Sequence, residues 1–223
     1  MKNGKKLSIN KLLGNKLIGL TGKYCAGKNH VALLLEQRSI PVLDVDKLGH
    51  DVIEKERERI LSRFGEDILG SDGLIDRRQL GDKVFGKPDE LSALEGIIHP
   101  AVNRETLAWI GEHGGKACAI NAALLHRSSA FEMLDAVIVV RAPFITRLLR
   151  AKKRDKMPLN ALLKRFGSQR GFDYQSRVAV PKTEVFGQPQ LFKKKSDIYI
   201  VENYAHSNLE KRINEILSDI FAI

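Results

Sequence analysis

The chain is most tightly constrained at residues 19–30, GLTGKYCAGKNH, where Gly22 and the pair Gly27-Lys28 stand at the spacing of a phosphate-binding loop. An apolar run, Leu17–Thr21, precedes the glycines, and a helix-forming stretch, Val31–Gln37, follows them. This spacing carries meaning when strand, glycine-rich turn and helix come in that order. Glycines let successive amide N–H groups turn inward around phosphate oxygens, and the following helix adds the positive end of its dipole. Lys28 then reaches the β- and γ-phosphates of a nucleotide as a point charge. The residue after that lysine ordinarily offers a hydroxyl to Mg2+. Here Asn29 offers an amide carbonyl, an oxygen type that can also ligate Mg2+. A bare glycine turn between strand and helix is the plainer reading, and the flanking context weighs against it.

Further apolar runs of strand length recur at Ile40–Leu43, Ala117–Ile120, Ala136–Val140 and Ile198–Val201. Continuous rather than alternating hydrophobicity, as in Val137–Val140, fits strands covered on both faces of a parallel sheet. Helical patterns lie between them: Thr146–Lys156 is basic and amphipathic, and Asn208–Phe221 sets Leu209, Ile213, Ile216, Leu217 and Ile220 at helical spacing. The alternation predicts an α/β, doubly wound fold with a parallel five-stranded sheet. About seventy residues between Leu43 and Lys116 carry no strand pattern, too long for a simple crossover. Helix-like stretches near 47–64, 76–85 and 89–113, divided by GSDG and GKPD turns, predict a helical insertion over a substrate cleft. The expected organisation is a basic extension over 1–16, a nucleotide-binding core over 17–46 and 115–223 with a lid at about 144–192, and the insertion over 47–114. Residues 171–190 lack periodicity and read as a long loop or flap.

The two cysteines, Cys25 and Cys118, form no CxxC or Cys/His cluster, which argues against structural zinc and suits a reducing cytoplasm. No apolar run reaches the length of a membrane span. The net charge of +10 is unevenly distributed: residues 1–16 hold five lysines and no acid, and residues 141–195 hold fifteen Lys or Arg against three acids. Such a segment suggests a polyanionic partner, either a phosphorylated small molecule or nucleic acid, unless it is simply a solvated face.

Two features complete the chemistry. Asp44 and Asp46 end the second predicted strand, on the edge where parallel sheets bind ligands. Alternate residues of a strand share a face, and a carboxylate near a γ-phosphate can take the proton of an attacking hydroxyl. A helix N-cap accounts for one of the two acids, less naturally for both. The run TRLLRAKKRD puts Arg147, Arg150 and Arg154 on one helix face, where guanidinium groups could close over phosphate as a lid.

Taken together, these segments resemble the dephospho-CoA kinases. IGLTG with Gly27-Lys28 is similar to that family's opening loop, and IPVLDVDKLGHDVI to its second-strand segment. FGEDILGSDGLIDRRQLGDKVF, LEGIIHPAV, TRLLRAKKRD and KSDIYIVEN resemble its later motifs. The resemblance implies a fold of the P-loop NTPase type with a helical substrate-binding insertion and a lid. It also implies ATP-dependent phosphorylation of the ribose 3′-hydroxyl of dephospho-CoA, with Mg2+. On that basis Gly22, Lys23, Tyr24, Cys25, Ala26, Gly27, Lys28, Asn29, His30, Arg150, Arg154 and Asn203 are expected at ATP, and Asn29 at the metal. Asp46 is expected as the base, with Lys28 as its catalytic partner, and Asp44, Arg77 and His99 are expected at the CoA half.

The sequence departs from the family pattern in places. Lys23, Cys25, Asn29 and His30 replace glycines and hydroxyl residues of the loop, and Ala123 and Arg127 replace a proline and a glutamate after the third strand. A positive φ at positions 23 and 25 would cost non-glycine residues on the order of 1 kcal/mol each. Two alternatives stay open beside the kinase: a related kinase with another hydroxyl acceptor, and a nucleotide- or nucleic-acid-binding protein without transfer. A small-molecule substrate is the expected partner, with no membrane and no nucleic acid.

Overall fold

The computed structural model describes residues 14–155, 157–167, 197–204 and 207–222. The basic extension before residue 14 and the non-periodic stretch 171–190 lie outside them. The chain divides into two compact units, residues 1–42 with 113–223 and residues 43–112.

The first unit is built on a five-stranded sheet: β1 (Leu17–Gly22), β2 (Val42–Asp44), β3 (Cys118–Asn121), β4 (Ala136–Arg141) and β5 (Asp197–Glu202), in the order β2-β3-β1-β4-β5. β2 leads the chain out of this unit into the second. β1 pairs in parallel with β3 (Leu17 opposite Cys118) and with β4 (Ile18 opposite Ala136), and β4 pairs in parallel with β5. The continuous apolar runs are explained by this placement: every residue of β1 and β3 is buried, as are five of the six in β4. Helices α1 (Lys28–Glu36) and α8 (Leu209–Phe221) cover one face, packing Val31, Leu35, Ile213 and Ile216 onto Ile18, Leu20, Ile138 and Val201. The chain crosses from β3 to β4 over β1, so the sheet's topological switch point falls at the carboxyl end of β1.

Helices α6 (Phe144–Asp155) and α7 (Leu159–Gly167) follow β4 and bury Ala151, Leu162 and Phe166 between them. α7 was not among the predicted helices. It is short, nine residues directly after Pro158, and lies within the basic segment 141–195.

The second unit is helical. α2 (Val45–Lys55), α3 (Arg57–Phe64), α4 (Arg77–Val84) and α5 (Pro88–Glu112) enclose Ile60, Phe64, Ile68, Ile75, Leu80 and Val84. The expected helix over 47–64 is two helices, because Glu56 leaves helical angles (φ −96°, ψ 18°) and turns its carboxylate to Arg59 and Arg104. The GSDG turn is closed by a single antiparallel bridge, Leu69 opposite Ile75, and by Gly70 N–H donating to the Leu74 carbonyl at 2.8 Å. α5 runs through Pro100, which has no N–H for the carbonyl four residues earlier. Among the described residues no helix is long and apolar enough to cross a membrane.

Candidate active site

The switch point at the end of β1 is where the glycine loop turns. Gly27 adopts a left-handed conformation (φ 101°) and caps α1 without a side-chain bond, leaving the helix's positive end facing the loop. A Cβ at Gly27 would lie 2.0 Å from Asn203 Nδ2, and one at Gly22 would lie 2.4 Å from the Val140 carbonyl oxygen. Both glycines are therefore required by close approach. Lys28 arches back and donates from Nζ to the Gly22 carbonyl at 3.3 Å, which holds its charge over the loop. Of the two replaced glycines, Cys25 sits at positive φ (58°), whereas Lys23 does not. The expected strain is thus confined to position 25. Cys25 is half-buried, and burial raises its thiol pKa against the opposing pull of Arg154.

Two expected ATP-binding residues brace this loop from behind. Asn203, buried just after β5, donates from Nδ2 to the Ala26 carbonyl at 3.0 Å. Arg150 of α6 donates to the same carbonyl at 3.2 Å, and to the main-chain and side-chain oxygens of Asn203 at 3.1 and 3.2 Å. Arg154 is turned to Asp155, with Nε–Oδ1 at 2.7 Å, and lies over the Tyr24 ring at 5.0 Å. Arg165 of α7 covers the same ring at 4.7 Å, Phe166 meets it edge-on, and the Tyr24 hydroxyl donates to Asp155. Arg147 donates to the Ala142 carbonyl and lies over Phe166; burial lowers its pKa. Asp155, Arg165 and Phe166 were not anticipated. Their role becomes visible only when α6 and α7 are folded against the loop.

Asn29 is exposed at the start of α1, and its Oδ1 accepts a hydrogen bond from Asn121 Nδ2 at 3.3 Å. Asn121 ends β3 beside the loop and is 2% exposed, and its Oδ1 is buried with no hydrogen-bond partner among the described residues. The predicted third strand stopped at Ile120, one residue short of it. The one oxygen at position 29 able to ligate Mg2+ is thus turned onto a neighbouring amide. The residues present do not fit a directly ligated ion at position 29. Nor does any group of three or more His, Cys, Asp or Glu gather elsewhere among the described residues. His30, next along α1, is exposed.

In the second unit, Asp44 and Asp46 do not share a strand face. β2 ends at Asp44, whose carboxylate accepts from the Lys47 amide at 3.1 Å and caps α2, and Asp46 lies exposed in the first turn of that helix. The N-cap reading therefore holds for Asp44. A cavity of about 420 Å³ within this unit is lined by His50, Glu54, Ser71, Asp72, Asp76 and Arg77, among others. Glu54 accepts from the Ile75 amide at 2.8 Å, and Asp76 caps α4. The backbone amide of Arg78 holds the Asp76 pKa below the usual carboxylate value. Arg77 lines this cavity; His99, exposed on α5, does not.

Comparison with known proteins follows the same segments. The family model for dephospho-CoA kinase matches residues 16–183. A dephospho-CoA kinase of Anaeromyxobacter dehalogenans is 34% identical over 188 residues, covering 82% of this chain and 89% of that protein. One of Halalkalibacterium halodurans is 32% identical over 160 residues, covering 69% and 80%. Among solved structures, a Thermus thermophilus protein superposes with a TM-score of 0.69 at 26% identity, over 93% of this chain and 97% of that one. The dephospho-CoA kinase of Campylobacter jejuni shares the fold, with a TM-score of 0.58 at 22% identity over 92% and 97%. With a family match running from the strand before the loop to beyond α7, this chain belongs to the dephospho-CoA kinase family.

Proposed function

We propose that this chain transfers the γ-phosphoryl group of ATP to the ribose 3′-hydroxyl of dephospho-CoA, releasing ADP and CoA in the cytoplasm. The observation that carries the reading is the loop itself. Gly22, Gly27 and Lys28 keep the geometry of a phosphate cradle although the residues between and after them have changed. The first unit takes ATP in that loop, and the helical unit takes the CoA half, with Asp44, Arg77 and His99 as its contacts. Asp46 receives the proton of the 3′-hydroxyl as its oxygen bonds to the γ-phosphorus and the bridging oxygen leaves with ADP. Asp46 stands exposed in the first turn of α2, next to the cap that Asp44 makes. Mg2+ would arrive with the nucleotide, adding charge neutralisation at the phosphates.

The test is ADP release by the full chain with and without dephospho-CoA. Release should depend on dephospho-CoA. Asp46→Asn should lower kcat by about 10²- to 10⁴-fold, the range of a lost general base, with ATP affinity unchanged. Normal turnover by that variant would remove Asp46 from the role. Tight ATP binding with no transfer to dephospho-CoA, but transfer to another hydroxyl compound, would move the acceptor. Tight binding with no transfer to any acceptor would make the chain a nucleotide-binding protein.

A further inference from the structure

We infer that Asn29 is a direct phosphate ligand, presenting its amide N–H2 to the nucleotide where a metal-binding oxygen would otherwise stand. This rests on the loop being a nucleotide site. Its basis is the pairing of two side-chain amides. Asn121 donates from Nδ2 to Asn29 Oδ1 at 3.3 Å, and its own Oδ1 is buried without a partner among the described residues. Reversing both amides would keep one hydrogen bond but bury an unpartnered N–H2 on Asn121, and orphaned buried N–H groups are rarer than under-satisfied carbonyls. The arrangement with the Asn29 oxygen turned inward is therefore the less costly one.

Its consequence falls on the other half of the Asn29 amide. With Oδ1 held by Asn121, Nδ2 is the polar group left to face the surroundings, and the residue is exposed. It stands at the second position of α1, where the helix dipole already favours an anion. An outward carbonyl oxygen there would repel a phosphate unless a cation lay between them. An outward N–H2 adds a hydrogen-bond donor and needs no cation. Asn121 is then a positioning residue: it sets which end of Asn29 the phosphate meets.

The experiment is calorimetric titration of ADP into the full chain, once with excess Mg2+ and once with EDTA, with folding of each variant checked by circular dichroism. In the natural protein the two affinities should agree within about threefold, because the loop contributes donors to the phosphate and no ligand to the metal. Asn29→Ala should weaken metal-free binding by about tenfold, the size of a hydrogen bond to a charged group. Asn29→Ser, a surface change that restores a hydroxyl, should make binding at least about tenfold tighter with Mg2+ than without. Asn121→Leu, close in volume, removes the N–H2 that holds the Asn29 oxygen inward, so the Asn29 amide is free to turn that oxygen outward and binding should gain the same metal dependence. Tightening of the natural protein by about tenfold or more with Mg2+ would overturn the inference while leaving the nucleotide site intact. So would an Asn29→Ala variant with unchanged metal-free affinity. No ADP binding in either medium would refute the nucleotide site, and this inference with it.

Discussion

Cys25 concentrates the tension in the loop. It occupies a left-handed position that glycine fills at no steric cost, and it keeps a thiol inside the glycine loop. Burial raises its pKa, so at neutral pH the thiolate fraction is smaller than that of a free cysteine. Alkylation by iodoacetamide should accordingly be slow at pH 7 and rise about tenfold per pH unit until the thiol's own pKa is passed. Bound ATP should suppress it. Mass-spectrometric mapping separates Cys25 from Cys118, which is buried in β3 with its pKa raised by burial. A Cys25 that reacts at neutral pH as fast as a small thiol, or that ATP leaves unprotected, contradicts this account of the loop. At this scale the sequence was only partly readable. Gly22, Gly27 and Lys28 announce themselves by spacing. The difference between Lys23 and Cys25 depends on backbone angles that spacing does not encode. Asn121 was unreadable, because its partner Asn29 is 92 residues away and meets it only through the register of β1 with β3.

Among the elements, α6 and α7 show a basic helix face put to structural use. Arg147, Arg150 and Arg154 lie on one face as predicted, yet each is engaged by the protein itself: a main-chain carbonyl, the Ala26–Asn203 brace, and Asp155 with the Tyr24 ring. Tyr24 is the point where loop and helices meet. Each guanidinium over its ring contributes about 0.5–1 kcal/mol, and the edge-on Phe166 contact about 0.5–1.5 kcal/mol. Tyr24→Ala removes the ring and the hydroxyl together and should therefore destabilise the first unit by roughly 3–6 kcal/mol in urea unfolding and speed tryptic cleavage within α6 and α7. Tyr24→Phe keeps the ring and should cost about 1.5–3 kcal/mol, the value of a hydrogen bond to a charged carboxylate. Equal losses for the two variants would locate the effect in the hydroxyl instead. β1, β3 and β4 were legible because sheet burial writes itself as unbroken apolar runs. The break at Glu56 and the helix α7 were not, since both depend on side-chain partners supplied by other elements.

Across the whole molecule the charge is divided between the two units. The first holds twenty-seven Lys and Arg against eleven Asp and Glu, and the second ten against sixteen. The unit with the glycine loop thus carries +16 and the helical unit −6. Such a field raises the local concentration of an anionic nucleotide, and salt removes the advantage as the Debye length falls from about 10 Å at 0.1 M to about 3 Å at 1 M. Over that range kcat/KM for ATP should drop roughly three- to tenfold while kcat stays constant, because screening acts on encounter and not on the bound complex. An unchanged kcat/KM would mean that the positive charge is balanced before it reaches the loop. The same measurement addresses the one partner class that composition left open. A polynucleotide contacting several phosphates releases several counterions, so its affinity falls with a log–log slope near −0.9 per contacted phosphate. ATP and dephospho-CoA, each with only a few charges, cannot show a slope of that size. A shallow salt dependence for ATP, with a duplex DNA probe bound weakly at physiological salt, assigns the basic unit to small phosphorylated ligands. Tight DNA binding with a slope steeper than about −4 would instead mark it as a nucleic-acid surface.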